Sequence, residues 1–200
     1  MIIFSPSALA NKYLEGKKGI EIGGSYHNKF DLDTLNVDYT DEITVFKKME
    51  METCGQYMKV DVVAEGDNLP FSDNSWDFVI NSHVLEHFFD PIKTINEWLR
   101  VIKPGGYLFM IIPHKERTFD RDRPRTMLQE LIYRHHGLMK KPEIKDDNTI
   151  SEENLRDLHY SIWITEDVLE LCKYMNLNVV EYQDVDDKVG NGFTIVIKKS

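Results

Sequence analysis

Short apolar runs recur along this chain at intervals that leave room for a helix between them. Gly19-Ile20-Glu21-Ile22 is the first, followed by Leu35-Asn36-Val37-Asp38, Met58 to Val63, Trp76 to Ile80 and Tyr107 to Ile112. The fourth and fifth runs are almost unbroken, as strands covered on both faces should be. Between them the apolar spacing becomes helical. Ile92, Ile95, Trp98, Leu99 and Ile102 share one face, behind an N-cap at Asp90 and a proline at the first helical position, Pro91. Pro104 and Gly105-Gly106 stop that helix. A second helix is predicted over Thr165 to Met175, then strands at Val179 to Val185 and Phe193 to Ile197. Their link, Asp186 to Gly192, reads as a hairpin turn, so this last pair is expected to be antiparallel. The alternation predicts an α/β fold: a mostly parallel sheet, helices on both faces and a C-terminal antiparallel hairpin.

One segment departs from this rhythm. His114 to Ile164 is dense in charge, contains Pro124 and Pro142, and has little periodicity. An insertion of this length at the ligand edge of a sheet is expected to act as a lid or binding loop. The 200 residues are therefore read as a single domain, 1–200, with 114–164 as a lid-like, acceptor-binding insertion.

Charge narrows the partners. A formal net charge of −10 argues against nucleic acid as the main partner, because phosphate contacts need clustered Lys and Arg. No apolar stretch approaches the ~20 residues needed to span a bilayer, and Met1 to Gly19 lacks the pattern of a secretory leader. Only Cys54 and Cys172 are present, which suits a reducing, cytoplasmic setting. The expected assembly leans towards a homodimer.

The strand ends carry the candidate chemistry, since ligands of open α/β sheets sit beyond the carboxyl ends of the strands near the switch point. Gly23 and Gly24 close the first strand, where absent side chains let a ligand approach the backbone. Asp38 ends the second strand and is placed to accept from ribose hydroxyls. Glu65 to Leu69 follows the third, and Asn81-Ser82-His83 the fourth. A dinucleotide site would want G-x-G-x-x-G, yet Ser25 and Asn28 stand at its second and third glycine positions. S-adenosylmethionine carries a sulfonium and an ammonium and no phosphate, so an acidic lip such as Glu21 suits it better.

Three further motifs lie in order: Leu69-Pro70-Phe71, Val84-Leu85-Glu86-His87 and Lys103-Pro104-Gly105-Gly106. With Glu21 to Gly24, they make the stretch from Gly19 to Pro113 resemble the class I S-adenosylmethionine-dependent methyltransferases, which are Rossmann-like. The resemblance implies that Glu21, Gly23, Gly24 and Ser25 line the methionine end of the cofactor and that Asp38 holds the ribose. It also implies that Glu65 reaches the adenine amine, with Asn68 and Leu69 beside it, and that Ser82 and His83 lie beside the methionine moiety and the methyl group. Where the family usually has a third glycine, this chain has Ser25-Tyr26-His27-Asn28, so His27 or Asn28 is expected to touch cofactor or substrate, with His27 taken as the acceptor-side candidate. The run Pro113-His114-Lys115-Glu116-Arg117-Thr118-Phe119-Asp120 resembles a bacterial subgroup associated with surface-glycan and specialised-metabolite pathways.

Methyl transfer to a hydroxyl needs alignment and a base, and histidine is the natural base near neutral pH. His83 and His114 leave the fourth and fifth strands and are the candidate bases. Arg117, Arg121, Arg123 and Arg125 read either as an anion clamp or as ion pairs with nearby acids, and Tyr160 and Trp163 as an aromatic wall or as core. His135, His136 and His159 resemble no compact metal motif, so no metal is expected. The reading is O-methylation of a small anionic bacterial metabolite, a phosphorylated sugar or glycan precursor. The alternatives are a non-catalytic S-adenosylmethionine-binding subunit and, further off, a nucleotide-dependent oxidoreductase.

Overall fold

The computed structural model describes residues 4–141 and 158–200, so residues 142–157 of the predicted insertion lie outside the described residues. The strands are β1 (Lys18–Ile22), β2 (Asp33–Asp38), β3 (Val62–Val63), β4 (Trp76–Ser82), β5 (Ile102–Pro113), β6 (Val179–Gln183) and β7 (Gly192–Lys198). They form one seven-stranded sheet in the order β3-β2-β1-β4-β5-β7-β6. The first five are parallel, and β7 runs antiparallel to both β5 and β6. The chain starts at β1, works outward to β3, and then returns to the other side of β1. That reversal places a switch point between β1 and β4.

The period-two alternation of the strands sorts their side chains into two cores. Ile20, Ile22, Val79, Leu108, Met110, Ile112, Phe193, Ile195 and Ile197 face one side. They meet Ile92, Ile95 and Trp98 of α3 (Pro91–Val101) and Val168 and Leu171 of α5 (Thr165–Tyr174). Phe78, Ile80, Phe109, Ile111 and Val196 face the other side, against Leu9, Ala10 and Leu14 of α1 (Ala8–Leu14). Helices therefore cover both faces, as the unbroken apolar runs predict.

Local chemistry explains most element ends. The Asp90 side chain accepts from the Lys93 N–H at 2.9 Å, with Pro91 leading α3. The helix ends at Val101, before the Pro104-Gly105-Gly106 stop expected from sequence, because Ile102 already pairs with Trp76 of β4. The third strand is shorter than Met58 to Val63: the Met58 N–H donates to the Glu50 carboxylate at 2.9 Å instead of to β2. Of the helices outside those predicted, two differ: the first has little amphipathic contrast and the second a clear apolar face. One is α2 (Val45–Cys54), which leaves Val45, Phe46, Met49 and Met51 exposed; the other is α4 (Leu128–His135), inside the insertion. No helix among the described residues is long and apolar enough to cross a membrane.

Candidate active site

The carboxyl ends of β1, β2 and β4 meet at the switch point. Gly23 has φ of +64° and its N–H donates to the Val37 carbonyl at 2.9 Å, continuing the β1–β2 ladder into the loop. A Cβ there would stand 2.9 Å from the Val84 side chain. At Gly24 a Cβ would stand 2.7 Å from Asn36 Oδ1, the atom that accepts the Gly24 N–H. The loop thus turns with bare backbone packed tightly between β2 and the turn after β4, where a side chain would collide with Val84 or Asn36.

Glu21 lies beneath this loop, 3% exposed, on the α1 side of the sheet. Burial lifts its carboxyl from 4.5 to about 7, while the Thr34 hydroxyl and the Lys188 ammonium pull the other way. A nearby cation would be strongly favoured by this acid, since it would relieve the cost of ionisation.

Asp38 ends β2 as expected. Its carboxylate accepts from the Tyr39 N–H at 2.7 Å and lies 3.8 Å from the Lys47 ammonium. Lys47 is buried and also donates to the Thr40 and Glu42 carbonyls, folding the loop after β2 under Asp38. Nothing in the spacing of Lys47 marks this role. Glu65 and Asn68 are exposed at the rim beyond β3, with the Asn68 N–H donating to the Glu65 carbonyl at 3.0 Å. Leu69 is different from the expectation: its side chain is in the core and its N–H is taken by Glu97 at 2.7 Å, so it props the loop.

The Ser25 hydroxyl donates to Glu50 at 2.6 Å and lies 2.6 Å from His27 Nδ1. Glu50 also accepts the Tyr26 N–H at 3.1 Å. Ser25 and His27 therefore fasten the loop after β1 to α2, and the His27 ring rests against Phe4 at 6.0 Å between centroids. Acceptor contact by His27 finds no support in this arrangement. Asn28 crosses to the end of β4, its Nδ2 donating to Ser82 Oγ at 2.9 Å.

The two candidate bases differ. His83 follows β4 in a left-handed conformation, φ of +57°, with Nε2 lacking a hydrogen-bond partner among the described residues. Burial drives its pKa down to about 4, with Asp186 and Asn191 acting in the opposite direction, so the ring is neutral at pH 7. His114 accepts the Glu116 N–H at Nδ1, 3.1 Å away. Its neutral ring must then carry the proton on Nε2, which faces Asp184 at 3.9 Å. The one lone pair of that tautomer, on Nδ1, is already engaged by the Glu116 N–H.

The arginine segment resolves towards ion pairs. Arg117 is held by Asp184, Arg123 by Asp120 at 2.7 Å, and Arg125 lies 3.7 Å from Asp167. Of the four arginines, Arg121 is exposed without a carboxylate partner among the described ion pairs. A four-armed anion clamp is not assembled, because one acid from within the segment, Asp120, and two from elsewhere in the chain, Asp167 and Asp184, lie against three of the arginines. Trp163 is core, and Tyr160 packs edge-on against Phe89 at 5.8 Å.

Residues 23–110 match the family model described as a methyltransferase domain. The chain is similar to that family over these residues, which are less than half of its length. Its fold is shared, at a TM-score of 0.54 and 18% identity over 96% of this chain and 87% of the other, with an S-adenosylmethionine-dependent methyltransferase from Aquifex aeolicus. A probable S-adenosylmethionine-dependent methyltransferase of Mycolicibacterium smegmatis is 34% identical over 85 residues, 40% of this chain and 30% of that protein. An uncharacterised Methanocaldococcus jannaschii protein is 28% identical over 154 residues, 72% of this chain and 60% of its own length. The chain thus spans less than two thirds of these two relatives.

The turn after β4 also holds a group that sequence spacing does not reveal. Glu86 is completely buried, and neither carboxylate oxygen has a hydrogen-bond partner among the described residues. Beside it stand His87 and His159, the latter from the far side of the insertion. Only the fold brings positions 86 and 159 together, through the Tyr160 and Ser161 N–H groups that donate to the Glu86 carbonyl at 2.8 and 3.3 Å.

Proposed function

We propose that this chain transfers the methyl group of S-adenosylmethionine to a hydroxyl of a small acceptor. The observation that carries the reading is the convergence of Glu21, the side-chain-free turn at Gly23-Gly24, and Asp38 at the switch point of a methyltransferase-like domain. In this reading Glu21 faces the cofactor's cationic end, Asp38 accepts from the ribose, and Glu65 with Asn68 borders the adenine. Ser82 and His83 border the methyl group.

The transfer itself is a displacement. The acceptor hydroxyl loses its proton to neutral His83, its oxygen forms a bond to the methyl carbon, and the carbon–sulfur bond breaks. The sulfonium becomes the neutral thioether of S-adenosylhomocysteine. What supports His83 over His114 is its unpartnered Nε2. Segment 114–164 is proposed as the acceptor lid. An anionic sugar phosphate or glycan precursor is the acceptor class we favour, supported by Arg121, with Tyr160 as the flat wall; the pairing of the other three arginines weighs against strong anion selectivity. Cys54 and Cys172 are both buried thiols, which supports a cytoplasmic setting, and the apolar row exposed on α2 supports a homodimer.

Calorimetric titration with S-adenosylhomocysteine, with NAD as control, tests the cofactor residues. Wild type is expected to bind the former alone, and Asp38→Ala to bind it about tenfold to a hundredfold more weakly, as loss of hydrogen bonds to a charged group should. Equal affinity in the two proteins would remove Asp38 from the site, and no binding to wild type would sink the reading as a whole.

A further inference from the structure

We propose that Glu86, His87 and His159 form a binding site for a divalent first-row transition-metal ion. Glu86 Oε1 lies 3.6 Å from His87 Nε2 and 3.9 Å from His159 Nε2, and one donor atom from each residue falls within 4.8 Å of the others. Donors around a tetrahedral ion at ~2.1 Å stand about 3.4 Å apart, so small side-chain movements close the site.

The tautomer of His159 is the strongest support. Its Nδ1 lies 2.5 Å from Asp120 Oδ2, and Asp120 is itself buried, with its other oxygen held by Arg123 at 2.7 Å. Arg123 also donates to the His159 carbonyl at 3.0 Å, locking acid and ring together. The Nδ1 proton is thereby committed to Asp120, and the Nε2 lone pair is aimed at Glu86. This is the carboxylate–histidine–metal arrangement, in which the outer acid fixes the ring and raises its basicity as a ligand. Facing that lone pair is a fully buried carboxylate with no hydrogen-bond partner among the described residues. A buried carboxylate opposed by a lone pair is costly unless a proton or a metal cation lies between them, and the second imidazole, His87, makes the position one a metal ion can take from the proton.

Two imidazoles and one carboxylate are borderline donors, suited to zinc, cobalt, manganese or iron and poorly suited to magnesium or calcium. Among the described residues the set is incomplete for any of these ions, which leaves positions for a further oxygen ligand. The Phe119 ring, 79% exposed, lies 4.8 Å from the His159 ring and shields one approach. Binding of the ion stands on these contacts alone. Its use rests on the methyl-transfer reading: an acceptor hydroxyl bound to the ion would lose its proton more readily before taking the methyl group.

The full-length protein, stripped with a chelator, is titrated with Zn²⁺ and with Co²⁺, and bound metal is counted by elemental analysis. One equivalent is expected, with visible d–d absorption of Co²⁺ that displays nitrogen and oxygen ligation. Glu86→Gln and His159→Ala should lose that spectrum, and Asp120→Asn should bind about 10–100-fold more weakly. Binding of S-adenosylhomocysteine, measured on the same samples, shows whether each variant is folded and reports separately on the cofactor reading. Failure of wild type to bind either ion would overturn the proposal. So would undiminished binding in both Glu86→Gln and His159→Ala, or a thiolate charge-transfer band placing Co²⁺ on Cys54 or Cys172. If a variant fails to fold, the wild-type stoichiometry and Co²⁺ spectrum decide the question.

Discussion

Replacing Glu21 with Gln should stabilise the protein above neutral pH and weaken its hold on the cofactor. The carboxyl is 3% exposed, and burial holds its pKa near 7 instead of 4.5. Such a displacement makes the ionised form about 3 kcal/mol dearer in the folded state. The direction follows from proton counting. Below pH 4.5 both folded and unfolded chains carry the proton, and Glu21 adds no penalty. As pH rises towards 7, the unfolded chain has released its proton and the folded chain has not, so stability falls until the folded carboxyl ionises. Gln is of similar shape and never ionises. Urea unfolding of both proteins should therefore show a gap between Glu21→Gln and wild type that widens by about 2–3 kcal/mol from pH 5 to pH 8. At pH 8 the difference corresponds to about 4–12 °C in Tm for a chain of this size. Taking the difference between two proteins at each pH cancels every other titrating group. A gap unchanged across this range would refute the argument that burial, and not a fixed partner, governs Glu21. The same acid predicts proton release: binding of S-adenosylhomocysteine at pH 7 should free about half a proton per site, measurable as a dependence of the heat on buffer ionisation.

Two further outcomes follow from the scaffold around the site. The Asp186 carboxylate accepts from the Lys188, Val189, Gly190 and Gly192 N–H groups at 2.5–3.0 Å; burial opposes its ionisation, but these amides hold its pKa below the ordinary value. Asp186→Ala should lower stability by about 2–4 kcal/mol at pH 7, and the loss should shrink as pH falls through the native pKa, read by urea unfolding at pH 7 and pH 3. Trp98 donates from Nε1 to the Gly66 carbonyl at 2.8 Å beneath the loop that carries Glu65. Trp98→Phe should cost about 1–3 kcal/mol and weaken cofactor affinity, seen by thermal unfolding with and without S-adenosylhomocysteine.

Much of the fold was legible along the chain because its signals are local. The apolar runs at Trp76 to Ile80 and Tyr107 to Ile112, Asp90-Pro91 before α3, and the turn at Asp186 to Gly192 each declare their element within a few residues. The glycine turn after β1 and Asp38 at the end of β2 were likewise found by position. Helix α2 was missed because its apolar residues Phe46, Met49 and Met51 do not point into a core. Whether four arginines make a clamp or internal pairs depends on which carboxylates the chain brings back to them, such as Asp184 to Arg117 across 67 positions. The tautomer of His114 depends on the turn that follows it, and the meeting of Glu86 with His159 on the packing of the insertion against the end of β4. Hydrophobic periodicity is a property of neighbours in sequence, so the sequence alone determined the layers and which residues stand at the carboxyl ends of the strands. Ionisation, tautomer and ligand geometry depend on neighbours in space, and these only the tertiary structure decided.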